Sequence, residues 1–346
     1  MGGAGNDTIY GSEDAALVYG GTGDDTLYAN STGSADSLYG GDDSDTLFGG
    51  SGLAEGILYG GNDNDTINSN STAAGQAQHL FGDWGNDTLN GNDGLDSLFG
   101  GYDNDQLYGG GFADYLEGDA GSDTLYGGLG GDTLYGDDVV EDVYDGHDDL
   151  YGDAGNDTLY GGGGGDDLEG GSGDDTLFGG AGNDRIYSES NTQKTNGGSA
   201  GGSTLYGGTG NDTLHGGTGA DILYGGDDDD GVYGGATSTT LYGDAGNDYI
   251  SGGEGHNTIY GGADNDSIFA SANGGDVYGG DGDDNIDALT AKIGTLQNLH
   301  GDAGNDTITG GNYADTIYGG GDNDRIFGGG GNDFIQGDDG NDYIGG

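Results

Sequence analysis

Residues 152–160 read GDAGNDTLY, and nearly the same nine residues stand at 2–10 (GGAGNDTIY) and at 20–28 (GGTGDDTLY). Outward from these, one pattern, G-G-x-G-x-D-x-U-x with U aliphatic, runs through the chain as 29 repeats of nine residues and six longer ones. U is Leu, Ile or Val in all 35 repeats. Alternation of side chains along a short x-U-x strand turns U to one face and its neighbours to the other, so U is the expected core. Glycine at positions one, two and four permits the left-handed backbone and close approach that stacked tight turns need.

The composition narrows the possible partners. Of 346 residues, 90 are Gly and 64 are Asp or Glu, against four Lys plus Arg and no Pro or Cys. A formal charge of −60 with 30% hydrophobic residues describes a chain that repels itself in metal-free water. Phosphates of nucleic acid and anionic membrane surfaces would be repelled too, which leaves divalent cations. Without Cys there is no disulfide and no thiolate metal site. No segment approaches the roughly 20 apolar residues of a membrane helix. Met1 leads directly into a repeat with no apolar h-region, so the expectation is export without an N-terminal signal peptide, or a mature or excised piece.

Tens of repeats in register make the chain resemble the RTX (repeats-in-toxin) family, described by this same nonapeptide consensus as calcium-binding parallel β-helices. The resemblance covers 1–346. It implies an all-β, right-handed parallel β-roll (a β-solenoid) with two repeats per coil and about 17 coils. In each repeat the first six residues would turn and the last three form a strand. It also implies calcium between successive turns of one edge, held by position-six Asp carboxylates and loop carbonyls. One continuous roll is expected, with loops carried by the longer repeats 29–39, 49–59, 69–81, 136–151, 188–206 and 288–300. Segment 136–151 could alternatively be a nine-residue repeat plus a short one, which would swap the parity of 152–187 if 188–206 also held two.

Energetics point the same way. A coil buries two aliphatic side chains, roughly 1.5–3 kcal/mol each, while backbone ordering costs roughly 1–2 kcal/mol per residue. Cation binding must supply the remainder, and oxygen-only ligands suit calcium. Extracellular calcium modules have dissociation constants of roughly 10⁻⁴–10⁻³ M, which places the chain outside the cell.

Numbered from Gly2, odd and even repeats turn on opposite edges. Odd repeats all carry Asp at position six: Asp7, Asp25, Asp45, Asp65, Asp87, Asp105, Asp123, Asp148, Asp166, Asp184, Asp212, Asp230, Asp248, Asp266, Asp284, Asp306, Asp324 and Asp342. Even repeats do so in nine of 17: Asp96, Asp114, Asp132, Asp157, Asp175, Asp315 and Asp333, with Asp36 and Asp221 isolated. Replacements there include Ala16, Gly56, Gln78, Thr239 and Gln297. Ions between adjacent Asp-bearing loops would number about 22 and offset about 44 of the 60 negative charges.

Position nine is Tyr or Phe in 24 of 35 repeats and is expected to face outward, either covering the sheet or forming an interface. The insertions at 29–35, 69–79 and 188–204 read as polar surface loops, with sequons at Asn30-Ser31-Thr32 and Asn70-Ser71-Thr72. Lys194 and Lys292 are expected to meet the acidic surface. His79, His147, His215, His256 and His300 share no spacing and no nucleophile, so no enzyme is expected. The function anticipated is a secreted calcium-binding structural protein of a filament, surface layer or matrix, self-associating end to end or through the aromatic sheet face. The alternative is the repeat region of a larger secreted toxin, hydrolase or adhesin. Ice or carbohydrate binding ranks last, because G-T-G-N-D occurs only at 208–212 and no Thr ladder follows from it.

Overall fold

A computed structural model describes residues 1–15, 17–30, 35–50, 55–72, 77–137, 146–189, 201–289, 292 and 295–346. Ala16, Lys194 and Ser31-Thr32 of the first sequon lie outside them, as do the side chains of Ser71 and Thr72. Among the described residues there are 36 strands, and no helix is long and apolar enough to cross a membrane. They form two parallel sheets stacked as a β-solenoid of about 17 turns. Two compact units, Met1–Thr176 and Leu177–Gly346, are built alike.

In the first unit Thr8–Tyr10, Thr26–Tyr28 and Thr46–Phe48 pair in parallel as one sheet, while Leu17–Thr22, Ser37–Asp42 and Gly56–Asn62 pair as the other. Each strand thus bonds the strand two repeats away, because a nine-residue repeat makes half a coil. The second unit repeats this: Thr213–His215 pairs with Gly231–Tyr233, and Thr204–Thr209 with Ile222–Asp227. Register is set by the aliphatic position, with Leu27 opposite Leu47 and Leu38 opposite Leu58. From Val18 to Ile326 every U side chain is buried, nearly all of them completely, whereas Ile344 in the last coil is 50% exposed. Burial requires a coil on both sides.

The pairing resolves the parity of 136–151. Leu125 lies opposite Leu150 and Leu134 opposite Leu159, so this segment is one long repeat and the odd–even frame holds through it. Thr8–Tyr10, Thr26–Tyr28 and Thr46–Phe48 keep the three residues that the resemblance implied, whereas many strands of the other sheet are longer. Ser37–Asp42 carries its strand through position nine into the first three residues of the next repeat. Gly21, Gly41 and Gly61 stack in register there, because without side chains successive turns approach closely enough to pair.

Candidate calcium sites

The turn ahead of each strand folds the position-six Asp back beneath the loop. From Asp25 to Asp324 these aspartates are buried, with 0–4% of their surface exposed; Asp7, Asp333 and Asp342 are partly exposed. One carboxylate oxygen has a fixed partner. The N–H of Asp25 donates to Oδ1 of Asp45, that of Asp45 to Asp65 and that of Asp65 to Asp87, each at 2.7 Å. The same bond links Asp87 to Asp105, Asp105 to Asp123 and Asp123 to Asp148. In the second unit it runs from Asp184 through Asp212, Asp230, Asp248, Asp266, Asp284, Asp306 and Asp324 to Asp342.

The other oxygen is left over. Among the described residues Oδ2 of Asp45, Asp65, Asp105, Asp123, Asp148, Asp230 and Asp266 is buried without a hydrogen-bond partner, and on the even edge so is Oδ2 of Asp114, Asp132 and Asp157. A buried acceptor without a donor is costly, and a buried carboxylate more so. Each Oδ2 points at the first glycine of its own loop, beside the first-glycine carbonyl of the next coil. A Cβ added to Gly225 would lie 2.5 Å from both Asp230 Oδ2 and the Gly243 carbonyl oxygen. On the even edge a Cβ on Gly109 would meet Asp114 Oδ2 and the Gly127 carbonyl, both at 2.7 Å. Glycine therefore opens a recess walled by a carboxylate and a carbonyl. Hard oxygen donors with buried negative charge fit calcium, and these carboxylates and carbonyls are the groups that would hold it.

Without an ion the aspartates resist ionisation. Burial, reinforced by neighbouring carboxylates and opposed by the backbone hydrogen bond, pushes Asp105 and Asp148 up to about 9. The same causes bring Asp65, Asp114, Asp157, Asp230 and Asp266 to about 8. These groups take a proton or a cation, and a divalent cation serves two at once.

The even edge is not uniform. Asp96, Asp114, Asp132, Asp157 and Asp175 form an amide-to-carboxylate ladder like that of the odd edge. Asp221 and Asp315 differ. Their Oδ2 atoms accept the N–H of Gly217 at 3.0 Å and of Gly311 at 2.8 Å, so the loop itself supplies a donor. The Asp315–Asp333 pair retains its ladder bond at 3.1 Å.

Further carboxylates escaped the consensus. Asp83, Asp119, Asp244, Asp302 and Asp338 replace the second glycine, and Asp43, Asp63, Asp103, Asp228, Asp264 and Asp322 the glycine at position four, all with φ between 66° and 81°. Burial is the main cause that raises Asp87 and Asp248; Asp83 and Asp103 add to it at Asp87, and Asp229, Asp244 and Asp264 at Asp248. Their signal was an Asp where the repeat requires a left-handed residue, a conformation Asp tolerates better than most. At 136–151, Asp137 accepts the N–H of Gly163 and adds charge beside Asp123 and Asp148.

The histidines divide by position. His215 stacks between Tyr187 and Tyr233, and His300 between Tyr278 and Tyr318. His147, Asp149 and Asp167 bring ligand atoms within 4.8 Å of one another on the outer face, a grouping that spacing alone did not reveal. Lys292 reaches the acidic surface at Glu254, 3.5 Å away.

Aromatic rings form columns. Tyr19, Tyr39, Tyr59, Phe81 and Phe99 stack with centroids 4.7–4.9 Å apart, as do Tyr206, Tyr224, Tyr242 and Tyr260. Where position nine is not aromatic, position seven repeatedly supplies the ring. Tyr115 stands in at Glu117, Tyr249 at Ser251 and Phe334 at Gln336, with tilted contacts of 5.1–5.7 Å.

No curated protein matches the chain significantly. The family described as RTX calcium-binding nonapeptide repeat (4 copies) matches residues 1–27, 19–52, 57–71, 81–116, 108–138, 143–177, 160–191, 197–232, 233–268, 300–335 and 320–346, most of the chain. With that match and the parallel roll it folds into, the chain belongs to the RTX calcium-binding nonapeptide-repeat family.

Proposed function

We propose that this chain is a non-enzymatic, extracellular structural protein whose calcium-folded roll assembles into a filament, surface layer or matrix. Its support is the set of buried aspartates, among them Asp45, Asp65, Asp105, Asp123, Asp148, Asp230 and Asp266, whose Oδ2 has no hydrogen-bond partner among the described residues. Calcium taken up there would join coil to coil, about 22 ions in all if adjacent Asp-bearing loops share them. Such sites fill at extracellular calcium levels. Family members are typically secreted, which agrees with that location.

For assembly, the aromatic columns offer a surface. Their ring faces are engaged within the chain, so a second copy would meet ring edges and phenol hydroxyls. Electron microscopy and sedimentation with calcium and with chelator test this. Polymers that form only with calcium support it, and dispersed particles of one size under both conditions refute it.

A second reading is that the roll is the repeat region of a larger secreted toxin, hydrolase or adhesin. It is favoured by repeats that run through most of the sequence, interrupted only by polar insertions. The mass of the protein isolated from its source decides between them.

A further inference from the structure

Four consecutive even-edge repeats lack Asp at position six and carry Thr239, Asn257, Gly275 and Gln297 instead. One of these, Asn257, retains the ladder without the charge. Asn257 is completely buried, and its Oδ1 accepts the N–H of Thr239 at 2.7 Å, as an Asp Oδ1 accepts the N–H one coil before it. Its Nδ2 takes the place of the orphaned Oδ2 and donates to the carbonyl of Gly252, the first residue of its own loop. Gln297, also buried, keeps only part of this: its N–H donates to Asp315 Oδ1 at 3.0 Å and its Nε2 to the Ser271 carbonyl at 2.7 Å, while its Oε1 has no hydrogen-bond partner among the described residues.

We infer that Asn257 is a built-in substitute for a cation, closing a latent calcium site with its own amide. At an Asp-bearing loop, carboxylate and carbonyl oxygens face one recess and need positive charge between them. At Asn257 the amide N–H supplies that partial charge covalently, so the coil closes without an ion. A carboxamide and a carboxylate have nearly the same shape, so one atom decides whether the loop is closed by hydrogen bonding or by metal. The recess retains oxygen from Thr239, whose Oγ1 is buried without a partner and would lie 3.0 Å from a Cβ on Gly234, itself 2.6 Å from the Gly252 carbonyl oxygen. At Asn257 the even edge therefore closes without calcium, whereas the odd edge of the same stretch requires it at Asp230, Asp248, Asp266 and Asp284.

This inference rests on the calcium reading of the position-six aspartates, and the test separates the two. Thermal unfolding of the full chain is followed from just-saturating to tenfold higher calcium for wild type, Asn257→Asp and Asn257→Ala. Asn257→Asp places two acceptors face to face, so it unfolds more readily than wild type at the lower concentration. Added calcium closes the gap, by up to about tenfold in the unfolding equilibrium for each tenfold in calcium. Asn257→Ala unfolds more readily by an amount that calcium does not change, which controls for loss of hydrogen bonds. Asn257→Asp behaving as wild type throughout, or keeping the same calcium-insensitive deficit as Asn257→Ala, overturns the inference. If wild type itself unfolds independently of calcium, it is the parent reading that fails.

Discussion

The backbone N–H of Asp105 donates to Oδ1 of Asp123, one coil further on, at 2.7 Å, while Oδ2 of Asp123 has no hydrogen-bond partner among the described residues. One carboxylate thus both ties two coils together and presents a bare oxygen. Replacing it separates the roles. Asp123→Ala should strand the Asp105 N–H, costing about 1–3 kcal/mol, and also remove a ligand. Asp123→Asn keeps an acceptor and should raise the calcium midpoint of folding, measured by circular dichroism, by less than Asp123→Ala does.

Gly225 faces the recess formed by Asp230 and the Gly243 carbonyl. Gly225→Ala fills it, so the variant should bind less calcium at saturation than wild type when metal content is measured after equilibrium dialysis. An unchanged ion count would place the metal elsewhere.

Acid should stand in for calcium. The ladder aspartates have folded values from about 6 at Asp45, Asp132 and Asp284 to about 9 at Asp105 and Asp148, all raised from 3.8. Across that window the ion-free fold binds more protons than the unfolded chain, so its stability is greatest near pH 4 and falls as pH rises. In chelator, β-structure should therefore increase on acidification. With calcium present, protons compete for the same oxygens, and the calcium midpoint should rise as pH falls from 8 to 6.

Core position should set the cost of truncation. Leu125 is completely buried and Ile344 is half exposed. Leu125→Ala should cost about 2–5 kcal/mol in calcium-saturated denaturant unfolding, and Ile344→Ala distinctly less.

Tyr115 bridges the gap in its column, and its hydroxyl donates to Glu117 at 2.7 Å. Tyr115→Thr restores the commoner residue at that position yet should lower stability by about 0.5–1.5 kcal/mol, because Phe99 and Tyr135 lose the ring between them.

These outcomes mark how far the repeat could be read directly. The fold followed from one position: an aliphatic residue every nine, from Val18 to Ile326, can be buried only if coils stack. The position-six aspartates and the weaker even edge were equally plain, since substitution changes residue type there. What escaped were arrangements that depend on the coil above or below. Tyr115 lies two residues from its expected position, and only a three-dimensional column shows that it replaces Glu117. Nothing in the sequence singles out Asn257, and only the stacked coils show its Oδ1 accepting the N–H of Thr239 while its Nδ2 donates to the Gly252 carbonyl. Asp83 and Asp103 occupy different positions of different repeats, and stacking brings both to bear on Asp87.

Calcium titration of the full chain from chelator, followed by far-ultraviolet circular dichroism, tests the central claim most directly. A self-repelling, largely unfolded chain should gain its β-structure cooperatively as calcium rises through roughly 10⁻⁴–10⁻³ M. Fully formed β-structure in chelator at neutral pH, unchanged by calcium, would contradict it.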